Sequence, residues 1–430
     1  MRTVRVTIAS TVFLFVFASH LLAATVQVGT CRNSVPSFAT IQAAVNASSA
    51  GGTVLVCPGS YPEQVAIDKA LNVIGVLSGT EKAAVIVAPA GGIVQNTSSL
   101  SSGNPIAAQI LVTNATGVNI SNLTVDGANS QISVGGCSPV NLVGVLYQNA
   151  SGTLNHLAVI NQALTGVSIG CQSGLGIFVQ SGNSGTSNVS IVNNYVENYQ
   201  KNGITANEAG TTVTITANNV VGQGPTTGAA ENSIQVGFGA TGTVHGNVAM
   251  DDVFSPDTIS SPGNAASGIL VFASTGVTVT NNTVGNTQFG IAFVSDATAG
   301  PADNGTIQGN RISATRVFDG VELCGNGNTV IGNTISGSDE SGVHIDSTCG
   351  AVASNTVSKN TINDACAGIL VGTAAGSNTI GTNNFYNTRN TTLTADTCSP
   401  PLTAAAPLMA GRVAAASAAT NHARPSPARP

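Results

Sequence analysis

From Thr25 onward the chain alternates aliphatic and polar residues in short runs, and almost every run ends on Gly, Asn, Pro or Ser. Alternation over a few residues predicts half-buried strands, and the turn residues between them predict tight corners. The runs "TVLVC", "EQVAID", "LNVIGV", "AVIV" and "VNISNLTVDG" follow one another in this way. One stretch breaks the pattern. In "SFATIQAAVNASSAGG", Phe38, Ile41, Ala44 and Val45 recur at helical spacing, which predicts an amphipathic helix over about 38–49, stopped by Gly51 and Gly52.

Beyond residue 144 the runs become a repeat. A small residue followed by an aliphatic opens each unit at Gly144, Gly176, Gly203, Ser233, Gly268, Gly290, Gly320, Gly342 and Gly368, with spacings of 32, 27, 30, 35, 22, 30, 22 and 26. A second series runs half a unit later through Asn194, Asn219, Asn247, Asn282, Asn310, Asn333, Asn360 and Asn384. A unit this short cannot bury a core alone, so the two series predict a solenoid whose coils bury aliphatics by stacking. Stacked strands lie about 4.8 Å apart. Equivalent asparagines can then pair amide to amide, and Asn tolerates the left-handed backbone of a tight corner. About 11 to 12 coils fit the length. The helix is placed to cap the open first coil, and the longest variable segments, "FSPDTISSPGN" and "SDATAGPADNG", are expected as loops pushed out of one side.

Composition agrees. The 50 glycines and 42 asparagines make up 92 of 430 residues, and only 7% of residues are charged. Low charge with 42% apolar content excludes charge-driven disorder, and so much Gly and Asn excludes a long-helix protein. Residues 25–400 carry 8 Lys/Arg against 19 Asp/Glu, so nucleic acid is not an expected partner, whereas this charge is compatible with a neutral polysaccharide or a cation-bridged acidic one.

The first residues, "MRTVRVTIASTVFLFVFASHLLAA", have basic Arg2 and Arg5, a short apolar run and small closing residues. They are expected to be a signal peptide over 1–24, giving a secreted or periplasmic protein with no integral membrane segment after its removal. One β-helix domain is expected over 25–398, followed by a disordered Ala/Pro-rich tail over 399–430. Eight cysteines, Cys31, Cys57, Cys137, Cys171, Cys324, Cys349, Cys366 and Cys398, favour disulfides in an exported chain. Pairing between sequence neighbours is preferred, with Cys137–Cys171 the best case because both precede successive unit starts by similar distances.

The stretch "FATIQAAVNASSAGGTVLVCPGSYPEQVAIDKALNVIGV" resembles the opening of right-handed parallel β-helix proteins of the pectin-lyase-like superfamily, with capping helix and strands in that order. The later coils resemble the generic repeat also found in NosD-like periplasmic proteins. This resemblance covers about 36–392 and implies an all-β, single-stranded right-handed parallel β-helix. It implies a superfamily of lyases, hydrolases, esterases, epimerases and tailspikes rather than one activity. Gly59, Tyr61 and Glu63 match the opening of pectin methylesterases, but those enzymes' catalytic segments have no counterpart. Polygalacturonases use a paired Asp that only Asp251–Asp252 could supply, and their His and Arg-Lys partners are missing. "SGVHID" at 341–346 shares only the flavour of the alginate-epimerase signature. The copper binding implied by NosD-like proteins finds little support in so few Met and His residues.

Candidate chemistry concentrates in the C-terminal half, where Arg311, Arg316, Asp319, Glu322, Asp339, Glu340, His344, Asp346 and Lys359 lie within three coils. Glu322 and His344 each stand two residues past a unit start, so they are expected to stack on the outer face, with Asp346 on the same face. Asp319 and Asp339–Glu340 are expected at the entrance to these strands, and Arg316 in the loop before. Such a groove could hold Ca²⁺ against a uronate, or place an acid and a base across a glycosidic bond with His344 or Arg316 handling the proton. The alternative is a solvated wall of ordinary polar pairs on a non-catalytic envelope solenoid. Asp251–Asp252 can form one site only if a turn interrupts the strand there. Tyr147, Phe178, Tyr195 and Tyr199 are the candidate sugar-stacking aromatics, with packing the plainer role. His156 and His245 are expected as surface imidazoles.

Overall fold

The computed structural model describes residues 24–398 apart from 80–82, 133–139, 167–168, 183, 255–264, 316 and 351. The expected signal peptide and tail therefore lie outside the described residues, as do Cys137 and Arg316.

One coil shows how the alternation becomes a wall. Ser187–Val192 forms a strand of the first wall, Tyr195–Glu197 of the second and Asn202–Asn207 of the third, and Thr211–Thr216 returns to the first wall one coil on. Each strand pairs in parallel with its counterparts before and after, as in Val189↔Val213, Val196↔Val220 and Ile204↔Ile234. Twelve such coils stack between Gly52–Val56 and Asn384–Thr394. The first wall is a 14-stranded sheet, and the second and third walls together form one of 22 strands. The architecture is the expected right-handed parallel β-helix.

Alternate aliphatics point into the coil and form one continuous core, including Ile177, Ile204, Ile234, Ile269 and Ile291 from the third wall and Val213, Val244, Val279 and Ile307 from the first. The unit-opening glycines begin third-wall strands because another coil comes too close for a side chain. A Cβ on Gly203 would lie 2.3 Å from Val220 Cγ1, and one on Gly268 would lie 2.3 Å from Val284 Cγ1.

The asparagine ladder forms, with two members shifted. Side-chain amides run Asn194, Asn218, Asn247, Asn282, Asn310, Asn333, Asn360 and Asn383, each Nδ2 donating to the next Oδ1 at 2.9–3.0 Å. Asn219 and Asn384, expected in this series, instead begin second-wall strands. The left-handed backbone, expected on the ladder asparagines themselves, falls on the residue before each of them from Asn194 to Asn360, at Asn193, Ala217, Gly246, Asn281, Gly309, Gly332 and Lys359. That residue makes the bend, which frees the ladder Asn to bury its amide and bond the carbonyls of the coil before.

The capping helix spans Ile41–Ala47, shorter than the expected 38–49. Thr40 is its N-cap, so Phe38 falls outside and pairs as a strand with Val28. Ile41, Ala44 and Val45 bury into the first coils. Glu63 accepts from Ile41 N at 2.7 Å and Gln42 N at 2.9 Å, and Tyr61 Oη donates to Cys57 O at 2.7 Å. The Gly-x-Tyr-x-Glu segment thus has a structural part here, fastening the lid. Disulfides join Cys31–Cys57, Cys324–Cys349 and Cys366–Cys398, all sequence neighbours, and Cys171 is disulfide-bonded as well. No helix of the described residues is long and apolar enough to cross a membrane.

Candidate functional site

In "FDGVELC" and "SGVHIDSTC" the alternation sends Val321, Leu323, Val343 and Ile345 into the core. Glu322 and His344 are left facing outward on the third wall, directly paired in register. His344 Nδ1 lies 3.3 Å from Glu322 Oε2 and 3.5 Å from Asp319 Oδ2. Asp319 stands at the entrance to its strand, where Ser341 Oγ donates to its Oδ1 at 2.6 Å. Asp346 follows on the same face and caps the turn Ser347–Cys349, accepting from Thr348 N at 2.7 Å. Two groups of ligand atoms result, each within 4.8 Å: Asp319 with Glu322 and His344, and Glu322 with Asp346, Cys324 and Cys349. The two cysteines of the second group are joined as a disulfide, so its ionisable donors are the two carboxylates.

The structure thus brings Asp319, Glu322 and His344 together, and places Asp346 beside Glu322 in the second group. Asp339 belongs to neither group and accepts from Val317 N at 2.9 Å, while Glu340 accepts from Cys398 N at 2.9 Å. Arg316 lies outside the described residues. The setting differs from the open groove or solvated wall expected. Asp319 and His344 are 0% exposed, Asp346 1% and Glu322 2%.

The reason is that the outer face of the third wall is itself covered. Leu270, Phe272, Phe289, Ala292 and Val294 pack there with Phe238 and Phe318, and Phe289 stacks on Phe318 with ring centroids 4.5 Å apart. Nearer the helix cap, Leu100 N donates to Gln180 Oε1 at 3.0 Å and Thr97 Oγ1 to Gln148 Oε1 at 2.7 Å, so the 97–101 segment lies over that wall. Periodicity assigns a residue to a face but does not say whether a loop returns across it.

A second buried polar cluster occupies the corner between the second and third walls. The turn that Asp251–Asp252 requires exists: Asp251 has φ of 66°, and the register slips between Val221 and Gly224. Asp252 consequently turns inward, where it accepts from Tyr199 Oη at 2.6 Å and from Ser233 Oγ. Glu231 accepts from Gln223 N at 2.9 Å, and Lys201 donates its Nζ to Ala230 O. Burial pushes the Asp252 carboxyl up to about 8 and the Lys201 amine down to about 7, and it raises Glu231 well above the usual range. The sequence carried one signal for this cluster, since Ser233 is the only non-glycine in the unit-opening series. Among the expected sugar-stacking aromatics, Tyr147, Phe178 and Tyr199 are fully buried, so they pack rather than stack on a ligand. His156 and His245 are exposed, as expected.

Residues 227–399, less than half of the chain, match the family described as "Periplasmic copper-binding protein (NosD)". No curated protein matches the sequence. The GH136 lacto-N-biosidase from Eubacterium ramulus is similar in structure, with a TM-score of 0.58 at 11% identity over 85% of this chain and 68% of that one. The Dettilon tailspike protein gp208 gives 0.53 at 16% identity over 78% of this chain and 62% of that one, so the chain spans less than two thirds of the tailspike. Identities this low speak to fold alone. Together with the stacked parallel walls, they show the fold of a right-handed parallel β-helix solenoid, similar over residues 227–399 to the NosD family.

Proposed function

We propose that the protein is an extracytoplasmic β-helix that holds a divalent cation at Asp319, Glu322 and His344 and engages polysaccharide beside it. The observation that carries this reading is the meeting of two carboxylates and an imidazole with ligand atoms within 4.8 Å of one another. Carboxylate–imidazole sets suit Zn²⁺, Mn²⁺ or Cu²⁺, whereas Ca²⁺ would use oxygen donors such as Glu322 and Asp346. Burial favours cation holding over acid–base catalysis, because an ion fits a closed cluster and a polysaccharide does not. The matched family's description as periplasmic and copper-binding supports both the metal and the compartment, and the disulfides suit an oxidising one. The glycan part draws on the fold shared with a lacto-N-biosidase.

The test is elemental analysis of the purified chain after dialysis against Zn²⁺, Mn²⁺, Cu²⁺ or Ca²⁺, followed by a glycan array with and without chelator. A retained stoichiometric ion, lost in Glu322→Gln and His344→Ala, together with chelator-sensitive glycan binding, is the expected result. A chain that retains no ion and binds no glycan would be a structural solenoid, and the reading would fall.

A further inference from the structure

The outer face of the first wall carries a feature that the repeat does not require. Thr214, Thr243, Thr278, Thr306, Thr329 and Thr356, ending on Thr379, occupy one position in seven successive coils and pair directly with one another. Below Thr214 the same position continues to Thr53 without a charged or aromatic residue. Thr214, Thr243 and Thr379 are exposed and the other four half-buried, as expected of rungs shaded only by their neighbours. Parallel pairing fixes their spacing at about 4.8 Å. The flanking rank two residues on is mixed, with Thr216, His245, Thr280 and Gln308, so a single ladder is the repeating element.

Strand propensity does not explain this uniformity. Thr suits an exposed strand, but so do Val, Ile and Tyr. The second wall supplies the comparison within the same coils. In those seven coils its corresponding outer rank reads Asn219, Val248, Thr283, Arg311, Thr334, Thr361 and Asn384, with Thr at three places and a cation, two amides and an aliphatic at the others.

The chemistry of the ladder narrows its partner. Every Thr rung offers a methyl and a hydroxyl, with no charge and no ring. Exchanging the water on an exposed hydroxyl for another molecule's hydroxyl yields little net free energy. A sugar chain would also find no aromatic platform on these rungs. A partner made of water escapes that limit, because the hydroxyls keep the waters they already order. Rungs at a fixed spacing, close to the oxygen repeat of hexagonal ice, can join an ice lattice at many points together, so small individual terms act in concert.

We propose that the threonine ladder of the first wall is an ice-binding face. It is independent of the third-wall cluster. The test uses the full chain in ice-recrystallisation and thermal-hysteresis measurements, with Thr278→Tyr on the ladder and Thr283→Tyr on the second wall of the same coil. Tyr195 already occupies the second wall's outer rank, so the substitution suits the fold, and unchanged circular dichroism and melting temperature would verify it. The expected result is that the unaltered chain shapes ice and suppresses recrystallisation, that T278Y loses most of this activity, and that T283Y keeps it. An unaltered chain without effect on ice, equal activity in the two variants, or a ladder that binds a neutral glycan but not ice would each overturn the proposal.

Discussion

The first and third walls are built from the same repeat, yet their outer faces have become opposites. Thr212, Thr214, Thr241 and Thr243 on the first wall are exposed, while Leu270, Phe289, Glu322 and His344 on the third are buried. The corners account for the difference. From Asn194 to Asn360 the chain turns between the first and second walls within two residues, one left-handed and one a buried Asn, leaving no segment there long enough to reach across a face. The edges of the third wall receive the longer segments, such as 97–101 and 395–398, which lie back over it. A solenoid wall is therefore solvated or buried according to the corner beside it, not according to its own strands.

The largest test of that contrast removes a ring from the third wall's outer face. Phe289→Ala vacates the stack with Phe318 in a fully buried cluster, and such a truncation typically costs about 3–5 kcal/mol. Denaturant unfolding would measure it. A loss below about 1 kcal/mol, the scale of an ordinary surface change, would mean that this face is not a second core.

A smaller effect separates the walls by chemistry. His344→Ala should weaken divalent-cation binding by more than about tenfold, since it deletes a direct donor and outer-shell changes alone reach that scale. Titration calorimetry of this variant beside Thr306→Val would show whether the binding site belongs to the third wall. Equal affinities would remove the assignment of His344 as a ligand.

How much of this contrast the sequence disclosed differs from wall to wall. The ladders, the inward aliphatics and the pairing of Glu322 with His344 follow from spacing, because stacking in register converts sequence offset into position. Burial of that pair does not follow, since it depends on where segments such as 395–398 fold back. Asn219 for Asn218 was a one-residue ambiguity in "ANNV", settled by which amide can reach Asn194 and Asn247. The Tyr199–Lys201–Glu231–Asp252 cluster is assembled from three coils and a register slip, and among its residues only Ser233 departs from the repeat.

That corner cluster gives a third test, in pH. Asp252 holds its proton in the folded chain up to about 8 but would lose it near 3.8 when unfolded. The folded state therefore binds more protons across that window, and stability falls as pH rises through it. Lys201 acts in the opposite sense above about 7, because its amine is neutral when folded and charged when unfolded up to 10.5, so stability recovers as pH rises further. Glu231, also raised well above the usual carboxylate range, adds to the fall, so a net loss of stability is expected as pH rises from about 3.8 towards about 7. Asp252→Asn keeps an oxygen for Tyr199 and should remove the part of the falling limb that Asp252 supplies, a difference of at least about 1 kcal/mol between the ends of the acidic window, while the raised Glu231 carboxyl keeps a fall of its own. Parallel profiles for the two proteins would show that Asp252 does not titrate with folding.

The smallest expected effect bears most directly on why the first wall is as it is. Thr306→Val replaces a hydroxyl with a methyl on a half-buried rung, keeps the branched shape, and leaves strand propensity nearly unchanged. Its stability change should lie within about 0.5 kcal/mol, read as an unfolding midpoint that barely moves. A drop well beyond that would mean that the ladder hydroxyls hold neighbouring coils together, making the uniform threonines a requirement of folding. A null effect removes that explanation and leaves the hydroxyls free for solvent. In that case the ladder's constancy, set beside the varied second wall, needs a cause outside the fold, and ordered water is the partner its chemistry suits.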